Sequence, residues 1–137
     1  MPSDAELRVR RPLWVAMSTL WLDTELQDRD LDHIARALRD SGHDRATLER
    51  ILVEEVAPVV YLNLYVAAGN WTGFDPDWLC AEILSGLRRR GRVRTWLLRR
   101  FRAVTAGPVR AAWAAVLRRR DALAKQEAGA EEEADPP

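Results

Sequence analysis

The residue types that build disulfides, metal centres and phosphate sites are scarce in this sequence. Cys80 is the single cysteine, and His33 and His43 are the two histidines among 137 residues. A lone cysteine cannot form an internal disulfide, and these residues cannot assemble a zinc site without carboxylates, for which nothing is suitably spaced. Glycine-rich phosphate loops and nucleophile elbows are absent too. We therefore expect a protein that is not an enzyme and has no metal or other cofactor, in a reducing compartment such as the cytoplasm.

Long hydrophobic runs are missing as well. The longest run, residues 56–68, is about half the length that a membrane-spanning helix requires, and it contains Pro58 and Asn63. Residues 13–22 are apolar enough to suggest a signal-peptide core, but acidic residues precede them and an acidic stretch follows where a small-residue cleavage site belongs. We expect neither a targeting segment nor a transmembrane helix.

The sequence is rich in apolar residues at helical spacing. With 47% hydrophobic residues, a chain of this length can build one domain with a core that needs no metal or disulfide. Helix starts are predicted at Pro12, Asp28, Asp44 and residues 75–77, and Gly42 predicts a left-handed helix end. The predicted core-facing residues are Leu13, Trp14, Met17, Leu20, Trp21, Leu31, Ile34, Ala35, Leu38, Leu48, Ile51, Leu52, Val56, Cys80, Ile83, Leu84 and Leu87.

Residues 59–68 allow two interpretations. They are apolar almost all round, which is typical of a central buried helix, although residues 59–62 also fit a strand. Pro58 must break or kink the chain before them, because it lacks an amide donor. We favour a helix that ends at Gly69, because the sequence contains no second strand-like run that could pair with this one.

Two basic amphipathic helices and an acidic tail complete the chain. The predicted fold class is all-α: a compact multi-helix bundle, with a single helical domain over residues 1–125 and a disordered acidic tail over residues 126–137. The apolar stripes of the two helices predict that Trp96 and Trp113 lie in the core. The stripes are Val93, Trp96, Leu97, Phe101 and Val104, then Val109, Ala112, Trp113, Val116 and Leu117.

The net charge of zero conceals a separation of charge along the chain. Residues 1–83 carry 8 basic and 15 acidic side chains, residues 84–120 carry 12 arginines and no acid, and residues 121–137 carry one lysine and six acids. One interpretation is that the arginines pair with acidic helices of the same domain. Another is a surface for an acidic protein or for nucleic acid, although the acidic tail would compete with nucleic acid. A third is a basic helix that lies on an anionic membrane.

Two acidic clusters have structural explanations. Residues 28–32 begin like a calcium loop, but His33 and Arg39 stand where a glycine and a bidentate glutamate are required. Acids at a helix start are explained by the helix dipole. Glu55 falls on the apolar side of its helix beside Glu54, and we expect it to pair with an arginine of the basic segment. Neither histidine has a neighbouring group suited to acid–base catalysis, and we expect His33 to be exposed.

The loop at residues 70–75 and several arginines are the candidate partner-binding residues. Trp71 and Phe74 flank Gly73, where they either form a binding rim or fold back to close the core, and we favour closure. Arginines that lie off the apolar stripes are expected to be exposed or paired with carboxylates. The candidate residues are Trp71, Phe74, Arg92, Arg99, Arg102, Arg110 and Arg118.

Four motifs between residues 10 and 83 carry a family resemblance. They are Arg11-Pro12-Leu13-Trp14, Leu22-Asp23-Thr24-Glu25, Ile51-Leu52-Val53-Glu54-Glu55-Val56-Ala57-Pro58, and Gly69-Asn70-Trp71-Thr72-Gly73-Phe74-Asp75 with Trp78-Leu79. On these residues the chain resembles a small bacterial domain family of unknown function. The resemblance implies a compact helical bacterial domain and transfers no catalytic residue. It leaves the arginine-rich helices and the acidic tail outside.

The expected function is that of an interaction protein. Small size, a helical bundle, missing catalytic motifs and opposed charges favour a non-enzymatic bacterial protein–protein interaction module, of the immunity or adaptor type. The alternative is a nucleic-acid-associated protein that uses the basic surface of residues 88–120. We expect another protein as the partner and no peripheral membrane contact, while the oligomeric state stays open.

Overall fold

The computed structural model describes residues 2–21, 26–63, 74–89 and 91–134. Over these ranges the chain forms helices and no strand, which confirms the all-α prediction. A π-helical turn (Leu52–Val56) joins the third helix to the fourth, and 3₁₀ turns occupy Thr19–Trp21 and Gly107–Val109. The α-helices are α1 (Asp4–Ser18), α2 (Asp28–Ser41), α3 (Arg45–Ile51), α4 (Ala57–Leu62), α5 (Pro76–Arg88), α6 (Arg92–Arg100), α7 (Arg102–Thr105) and α8 (Arg110–Ala134).

Helix α1 begins at Asp4, so the predicted start at Pro12 is wrong. The Ser3 hydroxyl accepts a hydrogen bond from the Glu6 amide at 3.3 Å, and the Glu6 carboxylate accepts one from the Ser3 amide at 2.9 Å. This reciprocal capping box satisfies two amides that would otherwise lack partners at the helix start. Pro12 instead lies inside α1, on its exposed side, where the missing amide leaves the carbonyl of Arg8 without its helical donor.

The turn from α2 to α3 follows the sequence-based prediction. Gly42 ends α2 with φ 73°, the left-handed conformation that glycine adopts at low cost. Asp44 then caps α3, and its carboxylate accepts a hydrogen bond from the Thr47 amide at 2.8 Å. Because the Thr47 bond favours the charged form, it holds the pKa of Asp44 below its usual value. Asp75 likewise caps α5 as predicted.

Pro58 is accommodated by a widened turn, so that residues 45–62 form one continuous helical segment, called the central helix below. The amide of Ala57 donates to the carbonyl of Leu52, five residues back, in the π-helical turn just before the proline. A turn of this kind is a recognised way for a helix to absorb a missing hydrogen bond. The preference for helix over strand is confirmed for α4, whereas residues 64–68 and Gly69 lie outside the described residues.

The core lies between α1, α2, the central helix, α5 and the first half of α8. Helix α1 packs on α2, α5 and the π turn, and α8 packs along α2. Cys80 is buried, as predicted. The buried residues of the main cluster are Leu13, Trp14, Ala16, Met17, Leu20, Ile34, Ala35, Leu38, Leu48, Ile51, Leu52, Val56, Val60, Leu79, Cys80, Ile83, Val109, Trp113, Val116 and Leu117.

The first of the two predicted basic helices is divided and leaves its apolar stripe in solvent. Phe101 separates α6 from α7, and neither helix contains a buried residue. Trp96 of α6 is 61% exposed, whereas Trp113 of α8 is 2% exposed. The prediction that Trp96 lies in the core is therefore wrong, because α6 contacts the π turn through its other side. The half-buried residues on that other side are Arg94, Thr95 and Leu98.

Helix α8 continues to Ala134, so residues 126–134 are helical where the sequence predicts a disordered tail, and residues 135–137 lie outside the described residues. Alanine, glutamate, lysine and glutamine favour helix, and an extension of a packed helix needs no new nucleation. Residues 124–132 are nevertheless exposed, and Arg39 to Glu127, at 3.1 Å, is the one ion pair described beyond residue 125. The tail therefore extends from the domain and adds little to its core.

Candidate interaction surface

Three glutamates of the central helix bind arginines from three different helices. Glu55, in the π turn, is buried against α1, where Arg10 Nη1 donates to both of its oxygens at 3.1 and 3.2 Å. The indole nitrogen of Trp14 donates to the same carboxylate at 2.9 Å. A buried charge is costly unless it is both paired and hydrogen-bonded, and Glu55 is both. This contact fixes α1 on the central helix.

Glu49 makes the equivalent contact with α8. Trp113 Nε1 donates to Glu49 Oε2 at 2.7 Å, and Arg110 Nη1 donates to Oε1 of the same carboxylate. The indole nitrogen of a buried tryptophan needs an acceptor, and Glu49 supplies it from the edge of the core. One arginine and one tryptophan thus share a glutamate at two places on the central helix, Glu49 near its start and Glu55 near its middle.

Glu54 binds an arginine of the basic segment. Arg99 Nε of α6 donates to Glu54 Oε1 at 2.9 Å, and the Glu54 side chain is buried. The sequence-based expectation has Glu55 pair with an arginine of the basic segment; the contacts described for Glu55 are those with Arg10 and Trp14 of α1.

The remaining arginines of α8 with described partners face α2 and the loop after it. Arg119 donates to Asp28 and to Asp32, both at 2.7 Å, and these hydrogen bonds, that of Asp32 foremost, raise the pKa of Arg119. Arg120 donates to the carbonyl of His43 at 3.1 Å and to Asp121 at 3.0 Å. On α8, most of the basic charge is therefore matched within the domain.

The arginines of α6 and α7 differ from those of α8. Arg92, Arg100 and Arg102 are exposed, and none of them forms an ion pair with a carboxylate in the part of the chain that the structure describes. Arg99 is bound to Glu54, at the border with the central helix. Two helices of the basic segment therefore present unmatched positive charge to solvent.

Exposed apolar side chains concentrate on the same two helices. Of seven large hydrophobic residues exposed in the described ranges, five belong to α6, α7 and the residue between them. Contiguous exposed apolar surface with a polar rim is characteristic of an interaction site. We call this surface the α6–α7 face; it consists of Val93, Trp96, Leu97, Phe101 and Val104 with Arg92, Arg100 and Arg102.

Of the two aromatic candidates, the structure describes Phe74 alone. Trp71 lies outside the described residues. Phe74 is half-buried and stacks on Trp78, with ring centroids 5.8 Å apart and an interplanar angle of 12°. Both rings pack against the main core cluster, so Phe74 helps to close the core.

The five candidate arginines are exposed or paired, as predicted, but they do not form one set. Arg92 and Arg102 belong to the α6–α7 face, and Arg99 lies at its border. Arg110 is bound to Glu49 inside the domain, and Arg118 is exposed on α8. Sequence reasoning missed Arg100 and the exposed apolar residues, because a stripe at helical spacing looks the same whether or not another helix covers it.

Two grooves indent the described surface. One, of about 560 Å³, lies between α1 and α2 and is lined in part by the exposed Arg8, His33 and Arg36. The other, of about 240 Å³, lies between the central helix and α6, beside the Glu54–Arg99 pair. Among the described residues, no group of three or more His, Cys, Asp or Glu is placed to hold a metal ion. Burial raises the pKa of the Cys80 thiol, which disfavours the nucleophilic thiolate.

None of the described helices is long and apolar enough to cross a membrane.

A known domain family matches most of the chain. No curated protein and no solved structure matches the sequence. A family model described as a domain of unknown function, DUF7079, matches residues 8–119. This match includes α6, α7 and the packed part of α8, so the expectation that the arginine-rich helices lie outside the family is wrong. The chain belongs to the DUF7079 family of domains of unknown function.

Proposed function

We propose that the chain is a non-enzymatic protein–protein interaction module that binds its partner through the α6–α7 face. The observation that carries this proposal is the coincidence of unmatched arginines and exposed apolar residues on two helices with no buried residue of their own. Protein interfaces combine an apolar centre, rich in aromatic residues and arginine, with a polar rim. Trp96, Phe101 and Arg100 are residues of these types.

An immunity or adaptor role in the bacterial cytoplasm is the specific form of this proposal. Such proteins act by occupying a partner and need no catalytic residues. The sequence motifs that resemble a bacterial family and the single, buried Cys80 support this setting.

Capture from cells that naturally make the protein tests the proposal. Cross-linking should recover the same partner with the wild-type chain and with a control variant that carries Val9→Ala and Arg36→Glu, exposed positions beside the α1–α2 groove. A variant that carries Trp96→Ala and Arg100→Glu should fold normally and lose that partner. Capture that is unchanged in the second variant would overturn the proposal.

Nucleic-acid association is the second candidate, because Arg92, Arg100 and Arg102 lie beside two aromatic side chains on one surface. Fluorescence anisotropy with a generic duplex and a single-stranded oligonucleotide, in rising salt, separates the two functions. The leading proposal predicts negligible binding at physiological salt. Tight, steeply salt-dependent binding that Arg92→Glu and Arg100→Glu abolish would favour the second candidate.

A further inference from the structure

Helix α8 provides an internal example of how this chain pairs a basic amphipathic helix. Its apolar residues between 109 and 117 share one buried cluster with the apolar residues of α2 between 31 and 38. At the edge of this contact, Arg119 binds both Asp28 and Asp32, which lie one helical turn apart on α2. An apolar stripe with an arginine is thus matched by an apolar stripe with two carboxylates.

One arginine of α8 lies within the apolar arc itself. Arg120 follows Trp113 by seven residues and Val116 by four. At 3.6 residues per turn, these steps place it within about 20° and about 40° of the two apolar residues. The contact accommodates this charge because the carbonyl of His43 and the carboxylate of Asp121 accept hydrogen bonds from its guanidinium.

Helix α6 repeats this spacing without a cover. Arg100 follows Val93 by seven residues and Trp96 by four, so it occupies the same place in its apolar arc as Arg120 does on α8. Val93 is 72% exposed, and Arg100 has no carboxylate partner among the described residues. The α6–α7 face therefore has the pattern of the α8 face, and no described element covers it as α2 covers α8.

We infer that the α6–α7 face binds an acidic amphipathic helix of the partner protein, in a contact that repeats the one between α8 and α2. This inference rests on the proposed function and names the partner's chemistry. The partner helix carries apolar residues at i, i+3, i+4 and i+7, which cover Trp96, Leu97 and Phe101. Carboxylates of the partner helix meet Arg92 at the edge of the apolar arc and Arg100 within it. These two arginines lie eight residues apart, about 12 Å along the axis, so carboxylates seven or eight residues apart would reach both.

The position of Arg100 favours a helix over a lipid surface. A helix that lies on a membrane keeps its basic residues on the polar side and its apolar arc free of charge. Here the guanidinium stands inside the arc, where a packed protein segment can offer a hydrogen-bond acceptor, as the His43 carbonyl does for Arg120. The aliphatic residues Val93 and Leu97 give no stacking surface for nucleic-acid bases.

A second copy of this chain is poorly suited to bind the α6–α7 face. Two α6–α7 faces packed together would bring Arg92, Arg100 and Arg102 of one copy against those of the other, with no acid in residues 84–120 to separate them. The acidic tail of a second copy has matching charge but only alanine and glycine between its acids from residue 127 onward, so it would leave Trp96 and Phe101 uncovered.

Designed helical peptides test the inference on the full chain. The first probe is a labelled peptide with leucine at i, i+3, i+4 and i+7 and glutamate at the flanking positions. A second has the same leucines and lysine flanks, and a third has glutamate without leucine. Fluorescence anisotropy should show binding of the first probe alone. Trp96→Ala and Arg100→Glu should each weaken it at least tenfold, whereas Val9→Ala and Arg36→Glu leave it unchanged.

A charge swap keeps the result independent of folding. The variant with Arg92→Glu, Arg100→Glu and Arg102→Glu should lose the glutamate peptide and gain the lysine peptide, with an unchanged circular dichroism spectrum. Binding of all acidic peptides regardless of leucine would overturn the inference. So would Trp96-dependent binding to phosphatidylglycerol vesicles or to a single-stranded oligonucleotide in place of the peptide. Self-association that disappears on truncation after Lys125 would identify the tail of a second copy instead.

The captured partner separates this inference from the proposed function. If the glutamate–leucine peptide competes with the captured protein for the wild-type chain, both stand. A partner that requires Trp96 but is not displaced by the peptide overturns the acidic-helix inference and leaves the proposed function intact. A partner that binds the Trp96→Ala, Arg100→Glu variant as tightly as wild type overturns the proposed function itself.

Discussion

Helices α6 and α8 are similar in sequence and opposite in environment. Both carry arginines and a tryptophan on an apolar stripe within the acid-free residues 84–120, yet Trp113 is buried and Trp96 is exposed. Carboxylates from other elements explain the difference in part, because Glu49, Asp28 and Asp32 all face α8. The one ion pair described for α6 joins Arg99 to Glu54.

Small residues explain the rest of the difference. Helix α8 carries alanine on both sides of Trp113, at positions 111, 112, 114 and 115, and small side chains allow it to lie close along α2. Helix α6 has no alanine, and its half-buried side consists of longer residues. Amphipathic spacing alone therefore does not decide which basic helix joins the core; the opposing carboxylates and the size of the packed residues do.

The two tryptophans provide the largest expected contrast. Trp113→Ala should lower the free energy of unfolding by about 3–5 kcal/mol, because it leaves a cavity and removes the hydrogen bond to Glu49. Trp96→Ala should change it by less than about 0.5 kcal/mol, because the side chain is mostly in solvent. Urea denaturation of both variants measures the difference. Equal losses would show that α6 is packed like α8.

The sequence predicts the helix caps and the buried stripes of this fold better than it predicts which apolar residues are exposed. Gly42, Asp44 and Asp75 act as caps because cap chemistry is local, and the core stripes of α1, α2 and α5 follow from periodicity alone. The helix start predicted at Pro12 is wrong because the helix begins earlier, at the capping box of Ser3 and Glu6, and contains the proline. The exposure of Trp96 depends on what lies across from it, which is tertiary information that no local pattern contains.

Substitution of Glu55, which is buried in the central helix, should give the next largest effect. Glu55→Gln keeps an acceptor for Trp14 but removes the charge that Arg10 binds, and should cost about 2–3 kcal/mol. Glu127→Gln, at an exposed pair with Arg39, should cost less than about 0.5 kcal/mol. Thermal melts that rank these two changes the other way would contradict a structural role for Glu55.

The paired and unpaired arginines should differ in a small, salt-dependent way. Arg119→Ala should lower the Tm slightly at low ionic strength, because it removes contacts with Asp28 and Asp32, and the loss should shrink in 1 M salt. Arg100→Ala should leave the Tm unchanged at both ionic strengths. A drop in Tm for Arg100→Ala would mean that an acid of the same domain binds it.

The tail should give the smallest effect. Truncation after Lys125 removes exposed helix and the Arg39–Glu127 pair, so stability should stay within about 0.5 kcal/mol of the full chain. Calorimetry of the two chains measures this difference. A clear fall in Tm would show that the tail packs on the domain.

Hydroxyl-radical footprinting of the free chain tests the central contrast most directly. The account predicts rapid oxidation of Trp96 and Phe101 on the α6–α7 face, and strong protection of Trp113 and Trp14 in the core. All four residues are read in one experiment on the unmodified protein, by mass spectrometry of the digested chain. Protection of Trp96 to the level of Trp113 would contradict the account, because it would mean that the α6–α7 face is already covered within the folded chain.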